Sequence, residues 1–274
     1  MSKRNSQASK SAARERLREE RERQARRDKA KRQGIVAGAV VVVLAAAGGI
    51  GYAVVQANKP SGWDAVKKEK LVKPANSTGT DGTTVVLGKS TAKKTLQMYE
   101  DPRCPVCAQF EETVGSTVKK DLDAGKFKIQ YVGATFIDNN IPGEGSKNAL
   151  SALGAALNVS PEAFLEYKTA LYSTKYHPDE QDDKFKSDDY LIKVANTVSA
   201  LKNNTAFQNA VKKGTYDKWA LVMSDKFNTD GKKYGFQGTP TLLMDGKVLT
   251  GSDGKNPPMS VDQFDTAIQK ALNS

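Results

Sequence analysis

The sequence predicts an α/β domain, with a block of helices inserted between its second and third core strands, behind a single membrane-spanning helix. Three observations predict this. One uncharged run spans residues 34–55 and is followed by a polar stretch. From residue 83 onward, short apolar strand patterns bracket a long helical block at about residues 146–227. Two cysteines, Cys104 and Cys107, stand where a strand pattern gives way to a helix pattern.

The chain has 274 residues, of which 38% are hydrophobic and 27% charged. That allows one ordinary core and excludes a polytopic membrane protein. The net charge of +11 is uneven: residues 1–32 hold 13 Lys/Arg against 5 Asp/Glu, leaving 29 against 26 for the rest. The basicity therefore belongs to an N-terminal arm, and no nucleic-acid partner is expected for the globular part. Two cysteines and the single His177 cannot supply the four ligands of a structural zinc site. No metal or other cofactor is expected.

Residues 1–33 read as a solvated basic arm on the cytoplasmic side. The run GIVAGAVVVVLAAAGGIGYAVV follows. As a helix, 22 residues rise roughly 33 Å, enough to cross a hydrocarbon core of about 30 Å. Residues 34–56 are thus expected to form a membrane span. A cleaved signal peptide is the alternative, since Val55-Gln56-Ala57 resembles a small-residue cleavage site. The apolar run is longer than a signal peptide needs, and the arm before it is long, so an uncleaved anchor is the reading adopted. Lys29, Lys31 and Arg32 just before the span predict a cytoplasmic N-terminus and an exported C-terminal part. Residues 57–82, rich in Pro, Gly, Ser, Thr and Lys, read as a flexible linker.

The globular domain is expected over residues 83–274. TTVVL (residues 83–87) and TLQMYE (residues 95–100) have strand texture. After the cysteines, Phe110, Val114 and Val118 recur four apart, predicting a helix that Gly125 ends. Residues 126–132 (KFKIQYV) follow as a strand. Within the helical block, Ser160 with Pro161, Ser187 and Thr205 mark helix starts. Residues 241–244 and 247–250 flank Asp245-Gly246, a strong short-hairpin signal. A last helix is expected from Ser260, with Phe264, Ile268 and Leu272 on one face.

Cys104-Pro105-Val106-Cys107 carries the chemistry. The first turn of a helix has unpaired N–H groups and the positive end of the macrodipole, which stabilise a thiolate. Cys104, at the exposed edge of that turn, is the expected nucleophile, and Cys107, one turn deeper, the resolving thiol. Pro105 has the backbone geometry a helix start requires. A purely structural disulfide closing two residues would gain little stability, because loop-closure entropy grows with loop length. Glu100 and Asp101, just before the motif, are candidate proton acceptors. Pro240 lies just before the strand pattern at residues 241–244, and since proline is poorly tolerated inside a strand it needs a reason. His177 lies in a charged segment and reads as a surface-loop residue.

YEDPRCPVCAQFE (residues 99–112), the helical block, and GTPTLLMDGKVLTG (residues 238–251) together resemble the DsbA-like family of bacterial thiol–disulfide oxidoreductases. The likeness covers about residues 83–274. It implies a thioredoxin fold with a helical insertion, a redox-active Cys104–Cys107 pair and a cis-Pro at Pro240. Thr239 before that proline would offer backbone groups to an extended substrate segment. It also implies cysteine-containing exported proteins as substrates, and a membrane redox partner that resets the dithiol. A rival reading is a membrane-anchored thioredoxin-fold binding module with little redox activity.

One position departs from the family's strongly oxidising members, which carry His where this chain has Val106. A valine cannot donate a hydrogen bond to the thiolate, so the reduced form should be stabilised less. For a two-electron couple about 30 mV corresponds to about 1.4 kcal/mol, so one hydrogen bond matters. Val106→His is expected to raise the reduction potential in a glutathione titration; an unchanged or lower potential would refute this account.

Overall fold

The computed structural model describes residues 62–274. The basic arm, the expected membrane span at residues 34–56 and the first residues of the expected linker lie outside the described residues. Among the described residues no helix is long and apolar enough to cross a membrane.

A short helix, α1 (Gly62–Val66), precedes β1 (Val85–Leu87) and β2 (Thr95–Glu100). The cysteines follow, at the start of α2 (Pro105–Ala124), and β3 (Lys128–Gly133) comes next. The insertion comprises α3 (Ile137–Asn140), α4 (Gly145–Val159), α5 (Pro161–Tyr172), a 3-10 turn (Lys184–Lys186), α6 (Asp188–Ala195), α7 (Thr205–Lys212) and α8 (Asp217–Tyr234). The hairpin β4 (Thr241–Met244) and β5 (Lys247–Val248), then α9 (Val261–Leu272), complete the domain.

The sheet has the order β1-β3-β2-β4-β5. β2 and β3 are parallel, so a crossover must join them, and α2 is that crossover. The other pairings are antiparallel. The expected helical insertion between the second and third core strands is therefore the segment between β3 and β4. Local signals explain the element boundaries. The side chains of Ser160, Ser187 and Ser260 each accept a backbone N–H in the first turn of the following helix. Asn204 caps α7 in the same way, one residue before the expected start. Asp245 and Gly246 both adopt positive φ, 52° and 75°, as a two-residue hairpin of the primed type requires.

Several expectations are corrected. β1 begins at Val85, because Thr84 pairs with Thr78 in an isolated bridge. β5 stops at Val248. The helical block continues past Phe227 to Tyr234, although Asn228, Thr229 and Gly231 are poor helix formers. Tertiary contacts override propensity there: Asp230 Oδ2 accepts hydrogen bonds from the Tyr99 hydroxyl and from Lys226, both at 3.0 Å. Residues 62–82 are not a free tether. Val66 is buried, Asn76 Nδ2 donates to the Leu157 carbonyl at 2.8 Å, and Trp219 Nε1 donates to the Gly82 carbonyl at 2.7 Å.

The core runs through both parts. Phe264 of α9 meets Phe110 of α2 and Phe127, while Phe227 of α8 packs beside Tyr99 and Phe236. Within the insertion, α4 packs against both α5 and α8. Gly154 of α4 permits the close approach of α8: a β-carbon there would meet the Trp219 ring at 2.8 Å and Tyr216 at 3.0 Å. Gly154→Ala is therefore expected to destabilise the chain by about 1–3 kcal/mol in urea titration, the usual result of overpacking.

Candidate active site

β2 ends at Glu100, and the chain turns through Asp101-Pro102-Arg103 before α2 begins. Cys104 is the N-cap residue and Pro105 the first helical residue. Cys104 N–H donates to the Asp101 carbonyl at 2.9 Å, closing the turn. One helical turn on, Cys107 faces the same region. Both cysteines are free thiols and both are buried. This corrects the expectation of an exposed Cys104: Pro105 is the exposed residue of the motif, and Val106 is 7% exposed. Across the site the Thr239–Pro240 peptide is cis. The Thr239 carbonyl oxygen accepts a hydrogen bond from Cys104 Sγ at 3.4 Å. Thr239 Oγ1 is buried without a hydrogen-bond partner.

The two acids before the motif have different surroundings. Asp101 is saturated with donors. Its Oδ1 accepts from Arg103 N at 3.0 Å and from Ser146 Oγ at 2.6 Å, and its Oδ2 accepts from Ile137 N at 3.1 Å. It fastens the turn to the insertion. Burial raises its carboxyl to about 7 even so. Glu100 is equally buried but has one donor, Lys168 of α5, whose Nζ lies 3.3 Å from Oε1. Its Oε2 has no hydrogen-bond partner, although Lys168 Nζ stands 3.2 Å away. Burial pushes Glu100 up to about 7, and Lys168 offsets only part of that. Glu100 interacts electrostatically with Cys107, Tyr131 and Tyr172, all buried. Burial, first of all, and then the neighbouring Cys104 and Glu100 raise the Cys107 thiol well above its ordinary value.

Some functional groups carried no local sequence signal. Arg103, inside the motif loop, is 1% exposed. Its NH1 lies 2.8 Å from Asp138 Oδ1, its Nε lies 3.5 Å from Asp183 Oδ1, and its NH2 donates to the Glu180 carbonyl at 2.9 Å. His177 does lie in a loop, but it is half-buried against the site. Its Nε2 lies 3.1 Å from the Pro102 carbonyl, to which it donates, and its ring stacks on Tyr172. Burial lowers its pKa, so at neutral pH it acts as an uncharged donor. Lys168 was findable: it recurs with Phe164 and Tyr172 at helical spacing on the apolar stripe of α5, where a lysine needs a partner.

A family model described as Thioredoxin matches residues 80–270. Disulfide bond formation protein D of Bacillus subtilis is 26% identical over 166 residues, covering 60% of this chain and 68% of that protein. The serine/threonine-protein kinase PknE of Mycobacterium tuberculosis is 26% identical over 167 residues, covering 57% of this chain but only 28% of the kinase. Among solved structures, oxidised BdbD from Bacillus subtilis superposes with a TM-score of 0.55 at 23% identity, covering 74% of this chain and all of that one. MdbA, a thiol-disulfide oxidoreductase from Corynebacterium diphtheriae, superposes with the same TM-score at 19% identity, covering 78% of this chain and all of that one. At these identities the structural likeness speaks for the fold.

Replacing Arg103 by Met would leave Asp183 without its cation and Asp138 with only Lys147, 3.6 Å away. The expected cost is about 3–5 kcal/mol, the range for breaking a buried pair on one side. Equilibrium denaturation checks it; a loss under about 1 kcal/mol, the size of an exposed pair, would refute the buried role.

Proposed function

The chain belongs to the thioredoxin family, and from that premise we propose that it is an extracytoplasmic, membrane-anchored thiol–disulfide oxidoreductase acting on cysteines of exported proteins. The observation that carries this reading is the contact of Cys104 Sγ with the Thr239 carbonyl. It brings the first cysteine of a helix-start dithiol against the cis-Pro loop, in a chain with no other cysteines.

With the site oxidised, a substrate thiolate attacks Cys104 Sγ and the Cys104–Cys107 bond breaks. A mixed disulfide forms, and Cys107 leaves as a thiolate that takes up a proton. A second substrate thiolate then attacks the substrate sulfur of the mixed disulfide. The substrate gains a disulfide and the protein keeps two thiols. In reverse, the Cys104 thiolate attacks a substrate disulfide, and Cys107 loses its proton to displace the substrate sulfur. In both directions the sulfur that reacts with the substrate is that of Cys104, the N-cap residue of α2. Thr239 and Pro240 present the backbone edge along which an extended substrate segment lies. The Bacillus subtilis relative is named for disulfide bond formation, which favours net oxidation as the direction of use. A membrane redox partner would then reset the dithiol.

Of the two candidate proton acceptors, Glu100 is the one we assign. It is buried near Cys107, keeps an oxygen without a hydrogen bond, and titrates at about 7, close to the optimum for a general base at neutral pH. Asp101 already accepts three hydrogen bonds and has a positioning role. The uncharged run at residues 34–55 and the basic arm before it support anchoring with the N-terminus in the cytoplasm.

Oxidation of a dithiol peptide and reduction of insulin by the full-length chain test the proposal. Cys104→Ala is expected to fall to the uncatalysed rate in both assays. Equal activity in wild type and Cys104→Ala would favour the binding-module reading.

A further inference from the structure

When Cys107 resolves a mixed disulfide it must lose a proton, so the group that receives the proton has to be unprotonated and keep one oxygen free of hydrogen bonds. Glu100 meets that demand only if Lys168 does not claim it. Lys168 is one buried cation between two carboxylates. It lies 2.6 Å from Glu111 Oε2 but 3.2 and 3.3 Å from the oxygens of Glu100. The other oxygen of Glu111 accepts the Thr169 hydroxyl, which aims that carboxylate at α5. A cleft of about 670 Å³ opens between α2 and α5, and Glu111, Lys168, Thr169 and Tyr131 line it, whereas Glu100 and Cys107 do not. The side chain of Glu111 is 10% exposed and that of Glu100 is 0% exposed.

From this geometry we infer that Glu111 is a positioning residue for the exchange reaction: it draws Lys168 toward the cleft and leaves Glu100 Oε2 without a hydrogen bond, open to the Cys107 proton. The inference rests on Glu100 being the proton acceptor. A single cation between two anions satisfies the nearer one more fully, because the Coulomb energy grows as the distance falls, and most steeply where water is excluded. Burial works against ionisation of Glu111 too, but Lys168 and Thr169 outweigh it and hold its carboxyl below the ordinary range. At Glu100 burial dominates, and the charge of Glu111 pushes in the same direction. The groups facing Glu100 are Lys168 and Tyr172 from α5, Glu111 and Cys107 from α2, and Tyr131 from β3, with Asp101 next in sequence. Among these only Lys168 is a cation, so its allegiance decides how readily Glu100 accepts a proton. The sequence contains the spacing for this arrangement: Glu111 lies one helical turn after Cys107, beside it along α2.

The test is the pH dependence of mixed-disulfide resolution in single turnover, measured on the full-length chain. Glu100 must be ionised to act, so the wild-type rate is expected to rise with pH along a limb centred near 7. In Glu111→Gln, Lys168 re-pairs with Glu100, and the limb is expected to move about one unit toward lower pH, the size typical of one added charge contact. A limb that stays in place in this variant overturns the role of Glu111. Glu100→Gln is the control: its limb is expected to disappear. A limb that persists there overturns instead the assignment of Glu100 as acceptor. If Glu111→Gln does not fold, titration of isotope-labelled glutamate carboxyls in the wild type decides. Glu111 ionising at lower pH than Glu100 upholds the inference, and the reverse order overturns it.

Discussion

A guanidinium group buried directly before the first cysteine of the dithiol holds the candidate site together. Arg103 reaches Asp138, Asp183 and the Glu180 carbonyl, all of them in the helical insertion. Its planar fork of donors suits several acceptors at once, which a lysine would not. Burying such a group does not by itself stabilise a fold, since desolvation offsets much of the attraction. Its contribution is position. The turn between β2 and α2 has no regular structure of its own, so something outside it must set where Cys104 stands. Asp101 reinforces the hold through Ser146 and Ile137, and His177 adds a contact to Pro102. The insertion therefore acts as the frame of the dithiol loop.

That frame accounts for the unlike behaviour of two neighbouring acids. Burial raises both carboxyls. Asp101 points into the frame and spends its acceptor capacity on three donors, whereas Glu100 faces α2, α5 and β3, where one lysine is shared. Glu100 is the last residue of β2 and Asp101 the first of the turn that follows, so one sequence step separates a carboxylate with three donors from one with a single shared donor. The buried tyrosines Tyr131 and Tyr172 keep the surroundings of Glu100 poor in water.

Much of the architecture was legible because it follows local rules. Serines at helix starts, a left-handed Gly125 ending α2, and Asp245-Gly246 between two strands each act within a few residues. The boundaries that were misjudged are those where distant residues intervene. Asp230 is tied to Tyr99, so α8 runs on through residues that favour turns. Residues 62–82 resemble a linker in composition, yet Gly82 is fixed by Trp219 and Asn76 by Leu157. Composition reports how flexible a segment would be alone and carries no information about the surface it meets. In the site, Lys168 could have been noticed on an apolar stripe, but its partners could not have been named, since Glu100 and Glu111 are 68 and 57 residues away.

By itself, the sequence determined that a dithiol sits at a strand-to-helix junction of an α/β chain with inserted helices, and that Glu100 and Asp101 precede it. Those facts rest on spacing and local backbone preference. Only the tertiary structure decided that both thiols are buried, that Thr239 meets Cys104, that Arg103 anchors the loop, and that Lys168 stands between Glu100 and Glu111. Each of these depends on which remote groups share a water-poor space, where a charge must find a partner, and such pairing is a property of the packed chain.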